Sequence, residues 1–290
     1  MKSTLKFLAV SSLFVLLAAC GTTLTGGGAQ ENAAAQQAIL GEIDAAFVAS
    51  AAEDNVDLSS VSLGLTTQSV DPFIVIRRTN MHRSHKLLTL TVDMTATPPT
   101  VTAEVQLNIT GTAELWQVLP DQPRAHNKVG EKPIDMVGTA TITAEKGDDG
   151  WHITSADHTA LSQGDFAADI TSWSYSPDPL VPGSDANLAT IALDEPDTSD
   201  EFLLVLRGRR FHPRSIPNDN GTDPDPTAND DEYNGYIRVG ADADEGRHLG
   251  FITALDYTRT TDLTPDGNGG YLYPYTDTFL PVVVLVGASQ

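Results

Sequence analysis

The sequence predicts an α+β unit followed by an all-β unit: an N-terminal helix packed on an antiparallel sheet, then a β-sandwich. Three observations carry this. Only residues 36–53 have clear helical periodicity. From residue 73 to about residue 160, apolar residues recur with period two. Residues 166–290 hold short apolar runs separated by loops rich in Asp, Gly, Asn and Pro.

In the helical stretch Ile39, Ile43, Phe47 and Ala51 recur every fourth position, and Leu40 and Ala46 broaden the stripe. Glu42, Asp44 and Glu53 lie at its margins. Such a stripe packs on a sheet. The stretch has no Lys or Arg to meet anionic lipid, so a membrane-surface helix fits it less well. Phe73–Arg78 reads as a strand, and Leu88, Leu90, Val92 and Met94 alternate with polar residues as a half-buried one. Pro98-Pro99 marks a turn, after which Val101 to Ile109 keeps the period of two. Gly111–Trp116 extends or bends that strand, and Gly138–Thr143 forms the next. Gly147-Asp148-Asp149-Gly150 is a hairpin turn into Trp151–Ala156. Ile170–Tyr175 opens the second unit, and beyond a turn-rich stretch at 174–183 strands are expected at Leu188–Leu193, Phe202–Arg207, Gly235–Val239, Leu249–Tyr257 and Thr278–Val286.

One helix followed by long antiparallel strands, closing with Gly150-Trp151-His152-Ile153, resembles the cystatin-like and nuclear-transport-factor-like folds. The resemblance is architectural, covers residues 36–160, and implies a concave sheet of the kind that often forms a pocket. The later strands resemble an immunoglobulin-like sandwich, without its Cys pair.

The first twenty residues read differently. Lys2 and Lys6 precede an apolar run from Phe7 to Leu17 that is short for a membrane span and suits a secretion signal. The run ends in Leu17-Ala18-Ala19-Cys20, which holds the only Cys and resembles the lipobox of bacterial lipoproteins. The resemblance implies a diacylglyceryl thioether on Cys20, cleavage before it, and acylation of the new amino group. Residue 21 is Gly and not the Asp of inner-membrane retention, which points to the outer membrane where the host has one. The expected organisation is a signal peptide at 1–19, a flexible Gly, Ala and Gln-rich tether at 20–35, an α+β domain at 36–165 and a β-sandwich at 166–290.

The chain has 290 residues, with 39 Asp and Glu against 17 Lys and Arg. Cleavage before Cys20 removes two basic residues and no acidic one, leaving a formal charge of −24. So acidic a surface repels nucleic acid. One Cys excludes a disulfide scaffold.

Several clusters are candidate sites. The loop Asn218–Glu232 carries Asp219, Asp223, Asp225, Asp230, Asp231 and Glu232, the hard oxygens that calcium requires. Its spacing does not match an EF-hand, and the same composition suits a solvated hairpin loop. Asp242, Asp244 and Glu245 form a second acidic set, and Asp262, Asp266 and Asn268 a third. Met81–Lys86 is a basic island, read as a hairpin end; on a strand His82 and His85 face opposite ways, which disfavours a shared metal. Arg207, Arg209, Arg210, His212 and Arg214 form another. Tyr271, Tyr273 and Tyr275 alternate, as on one strand face. No serine-nucleophile elbow, zinc-protease helix, phosphate loop or dinucleotide fingerprint is present.

The functional expectation is a lipid-anchored cell-envelope protein acting as a non-enzymatic binding or scaffolding module. Its expected partners are the membrane, through the anchor, and an envelope protein or polysaccharide. The alternatives are a calcium-stabilised adhesion or ligand-binding protein, and a hydrolase with its site in the first domain.

Overall fold

The computed structural model describes residues 23–51, 73–119, 122–158, 161–164, 167–194, 202–208, 210–213, 217 and 219–288. The lipobox lies outside them. The protein is mostly β, with one N-terminal helix and antiparallel sheets.

The first sheet is a meander of β2 (Phe73–Asp93), β3 (Thr100–Leu119), β4 (Gln122–Gly147) and β5 (Gly150–His158), all antiparallel. A short strand β1 (Thr23–Thr25) adds to the outer edge of β2, in parallel. Helix α1 (Ala29–Ser50) packs on one face of the sheet. That face is lined by the buried side chains of the period-two positions, among them Leu90, Val105, Leu107, Ile109, Leu115 and Ile142. The opposite face carries Thr, Ser, Asn and charged residues, the usual division for an antiparallel sheet with one wet side.

Several expectations are corrected here. The helix begins at Ala29, seven residues before the expected start, because Gln30, Glu31 and Ala33–Ala35 are good helix formers and Gly28 supplies the break. The described part of 20–35 is therefore strand and helix, not a featureless tether. The runs at 73–78 and 88–93 belong to the single strand β2, and Met94 and Thr95 lie in the turn after it. The basic island lies in its middle, where the register shifts between Thr79 and His82, and not at a hairpin end. A bulge of this kind twists the strand without ending it.

The C-terminal half contains two further sheets. One has the order β7-β8-β11-β10, from β7 (Asp169–Ser176), β8 (Leu188–Asp194), β10 (Phe211–Pro213) and β11 (Glu232–Val239). The other has the order β6-β13-β12-β9, from β6 (Leu161–Gln163), β9 (Phe202–Gly208), β12 (Gly246–Asp256) and β13 (Asp277–Val286). Leu161–Gln163, expected in the first domain, therefore pairs with β13 instead. Its Leu161 side chain covers Gly138 of β4, where a Cβ would come within 2.7 Å of it.

The sheet containing β12 and β13 is buried on both faces. Leu204, Leu206, Ile252, Ala254, Leu280, Val282 and Val284 face the β7-β8-β11-β10 sheet. Leu203, Leu249, Phe251, Leu255 and Phe279 face α1 and the first sheet. Phe47 of α1 stacks on Phe251 at 5.4 Å between ring centroids, and Phe251 meets Phe279 at 4.7 Å. Burying one such side chain contributes about 1.5–3 kcal/mol. The helix is thus a layer between two sheets, and one core runs through both expected domains.

Candidate functional site

The acidic loop between β10 and β11 is the densest cluster of candidate ligands. Asn229 and Asp231 adopt the left-handed conformation, with φ of 58° and 61°, and fold the loop back on itself. This brings one carboxylate oxygen from each of Asp219, Asp225 and Asp230 within 4.8 Å of one another. The other three candidates lie outside this group. Asp223 accepts a hydrogen bond from the Tyr236 hydroxyl at 3.2 Å, while Asp231 and Glu232 are exposed.

The three clustered acids also serve the loop's own backbone. Asp219 accepts from the Asp230 and Asp231 amides at 3.2 and 3.0 Å. Asp225, 3% exposed, accepts from the Gly221 amide at 2.6 Å and the Asn234 side chain at 3.3 Å. Asn234 in turn accepts from Thr190 of β8 at 2.7 Å, which ties the loop to the sheet. Burial pushes the Asp219 carboxyl above its ordinary value; the backbone amides oppose this and the Asp230 charge adds to it. Three carboxylates supply part of a calcium shell, which takes six to eight oxygens.

The second and third acidic sets do not join this cluster. Asp244 pairs with Arg210. Asp262 caps its own turn through the Thr264 amide at 2.7 Å, and Asp266 does so through Asn268 and Gly270 at 2.7 and 3.0 Å. These hydrogen bonds hold both carboxyls below their usual range. Of the Arg207–Arg214 island, Arg209 and Arg214 lie outside the described residues.

Two open clefts accompany these groups. One, of about 690 Å³, is lined by Ser176, Ser184, Asp185, Asp223 and Tyr236. The other, of about 360 Å³, lies between the β4–β5 hairpin and β12, with Lys146, His152, Arg247 and Leu285. Lys146 is held by Glu31 at 2.9 Å.

His82 and His85 face opposite ways, as strand geometry requires. His82 stands opposite Thr110 on the wet face, while His85 stands opposite Leu107 and meets Asp44 of α1 at 2.8 Å. The tyrosines do not lie on a strand; they occupy the loop between α2 (Tyr257–Thr261) and β13. Each carries a cation over its ring: Lys132 on Tyr271 at 5.5 Å, Arg259 on Tyr273 at 5.2 Å and Arg78 on Tyr275 at 5.9 Å.

These pairs belong to a buried polar node that charge density in the sequence did not reveal. Arg78 of β2 donates to Asp277 of β13 at 2.8 Å and to the Tyr275 hydroxyl at 2.9 Å. Tyr275 donates to the same Asp277 oxygen at 2.6 Å. Burial pushes both the Tyr275 hydroxyl and the Asp277 carboxyl upward, against the pull of the Arg78 charge. Lys132 of β4 donates to the backbone carbonyls of Arg259 and Asp262, each at 2.9 Å. Burial pushes its ammonium down to about 8. Asp256 caps α2 by accepting from the Arg259 amide at 2.8 Å. The available signal was parity: Lys132 shares its strand face with Ile134 and Met136, so a charge stands where the period of two places core.

The node is packed between the first sheet and the β13 sheet, and its chemistry is that of a lock. The inner face of the first sheet is likewise filled, by Ile39, Ile43 and Phe47 of α1 and by Phe251 and Phe279. No helix among the described residues is long and apolar enough to cross a membrane. Compared with protein-family models, curated proteins and solved structures, the chain has no significant match.

Proposed function

We propose that this chain is a lipid-anchored protein of a bacterial cell envelope, acting as a non-enzymatic binding or scaffolding module. The observation that carries the reading is Leu17-Ala18-Ala19-Cys20 at the end of an apolar export run, with Cys20 the only cysteine. Several acyl chains, at about 0.8 kcal/mol per buried methylene, make a stable anchor. Residue 21 favours the outer membrane in a host that has one. The partner on this reading is an envelope protein or polysaccharide.

The strand order supports a finer reading of the C-terminal half as an immunoglobulin-like β-sandwich. Counted from β7, one sheet takes the first, second, fifth and fourth strands and the other the third, sixth and seventh. That is the division of a constant-type immunoglobulin domain. Here β6 extends the second sheet beyond its seventh strand. Sandwiches of this type bind through loops on a rigid frame, which suits a binding module better than a hydrolase, since the inner face of the first sheet is filled.

The test is the N-terminal peptide of the chain isolated from bacterial envelopes. The expected peptide begins at Cys20 and carries acyl mass, and Cys20→Ser moves the protein to the soluble fraction. An unmodified Cys20, or cleavage elsewhere, overturns the anchor. Pull-downs from intact envelopes that recover no partner in several media count against the binding role.

A second reading, a calcium-stabilised adhesion or ligand-binding protein, is favoured by the approach of Asp219, Asp225 and Asp230 within 4.8 Å. Binding to the native state alone raises Tm by mass action. A Tm that is the same in millimolar calcium and in chelator removes this reading.

A further inference from the structure

We propose that β7 is an open strand edge that binds an extended segment of a partner protein by strand addition, the segment being uncharged in its middle and basic at its ends. This deepens the binding-module reading and rests on it. Three observations point to the edge.

The first is the main chain. β7 is an end strand of its sheet, next to β8. The Leu193 amide donates to Asp231 at 3.1 Å and the Asn187 carbonyl accepts from Ile237 at 2.9 Å, so odd-numbered residues of β8 turn their main-chain groups toward β11 and even ones toward β7. Leu188, Thr190 and Ala192 stand opposite Ser176, Ser174 and Ser172. These serines therefore bond to β8, while Trp173 and Tyr175 turn their N–H and C=O groups outward. Among the described residues no strand lies on that side.

The second is burial. Ile170, Trp173 and Tyr175 pack on the sandwich core yet stay only half-buried, whereas Ala189, Ile191 and Leu193, which face the same core from β8, are buried. Trp173 stacks on Tyr175 at 5.6 Å, and the Tyr175 hydroxyl is fixed by the Leu285 amide at 3.0 Å. The margin is preformed, and a strand laid along it covers both rings.

The third is the contrast with the other edges. Of the end strands, β1, β6 and β10 are three residues long, β9 is almost wholly buried, and β5 carries a bulge and Asp157. Shortness, cover, bulges and charge are the usual means of closing an edge. In β7 a bulge at Thr171 guards the first residues, but 172–176 holds no charge and no Pro.

Outward N–H and C=O groups at a two-residue spacing are matched by another extended chain. Asp169 and Asp178 are exposed at the two ends of the edge and favour a segment with basic ends. A second copy brings the same acids and is repelled.

The experiment follows amide hydrogen exchange in the full chain, with a synthetic peptide of alternating threonine and valine carrying paired lysines at both ends. Without peptide, the Trp173 and Tyr175 amides are expected to exchange faster than those of Ser172 and Ser174. Saturating peptide slows Trp173 and Tyr175 about ten-fold, the effect of one ordinary hydrogen bond. The same peptide with its central amides N-methylated keeps its charge and gives no slowing. Ser174→Lys, at an exposed position, weakens peptide binding with an unchanged Tm. No slowing at saturation, or equal slowing by the N-methylated peptide, overturns the proposal. Slowing that grows with protein concentration and needs no peptide makes the occupant a second copy and overturns the basic partner. Equal capture of one envelope protein by wild type and Ser174→Lys overturns the edge and leaves the binding reading standing; envelopes that yield no partner to either form overturn that reading and the proposal with it.

Discussion

The acidic loop at 219–232 and the node around Arg78 and Asp277 handle charge in opposite ways. In the loop, carboxylates crowd together and are held by amides of the same loop, so the arrangement is confined to one segment. In the node, each charge comes from a different element: Arg78 from β2, Lys132 from β4, Asp256 from the end of β12, Arg259 from α2 and Asp277 from β13. The loop dominates the sequence and shapes one surface feature. The node's five charges are scattered through the sequence, and it joins two layers. Charge density in a sequence marks solvated surface; a single charge on an apolar strand face marks a place where the fold must supply a partner.

The comparison predicts its largest effect at Arg78. Removing one partner of a buried pair leaves the other charge uncompensated, at about 3–5 kcal/mol. Arg78→Met is expected to lose that much in urea unfolding, while Arg78→Met combined with Asp277→Asn recovers part of it. If the double variant loses the sum of both single losses, the two residues are not coupled and the node is not a lock.

Lys132 comes next, through pH. Burial holds its ammonium down to about 8, against 10.5 in the unfolded chain. Between those values the unfolded chain binds more protons, so stability rises as pH climbs from about 8 to about 10.5. Below pH 8 this increment is absent. Its size is at most about 3 kcal/mol. Lys132→Met is expected to flatten that rise relative to the wild-type chain in thermal unfolding. Parallel pH curves for the two proteins count against a buried ammonium.

The strands of both halves were legible because each carries its own period. β3 alternates from Val101 to Leu115 and β8 does so clearly. The layering has a signal of its own in the sequence. Phe202–Leu206, Leu249–Leu255 and Phe279–Val284 are nearly unbroken apolar runs, the mark of strands buried on both faces. An outer sheet of a two-layer sandwich alternates instead. Read that way, these runs require a third layer, which α1 and the first sheet provide. The residues before 36 read as a tether because Ala and Gln suit a linker and a helix equally, and only the apolar face of the neighbouring sheet decides between them. Of the six acidic candidates, three converge. Nothing local to Asp223 separates it from Asp225, since Asp225 is selected by Gly221 and Asn234 after the loop has folded.

That selection gives the smallest prediction and the sharpest internal control. Asp225→Ala removes a buried acceptor and leaves the Gly221 amide and Asn234 without it, at about 1–3 kcal/mol. Asp223→Ala, two residues away and exposed, removes a hydrogen bond from Tyr236 alone and is expected within about 0.5 kcal/mol of wild type. Thermal unfolding in chelator measures both losses free of any metal. Repeating it in calcium separates the two uses of the loop. A Tm rise seen in wild type and in Asp223→Ala, but absent in Asp225→Ala, makes the three converging carboxylates a ligand set. Equal losses in chelator and in calcium make them turn-stabilising groups, which hold the loop and its junction with β11, while the node ties β2, β4, β12 and β13 together.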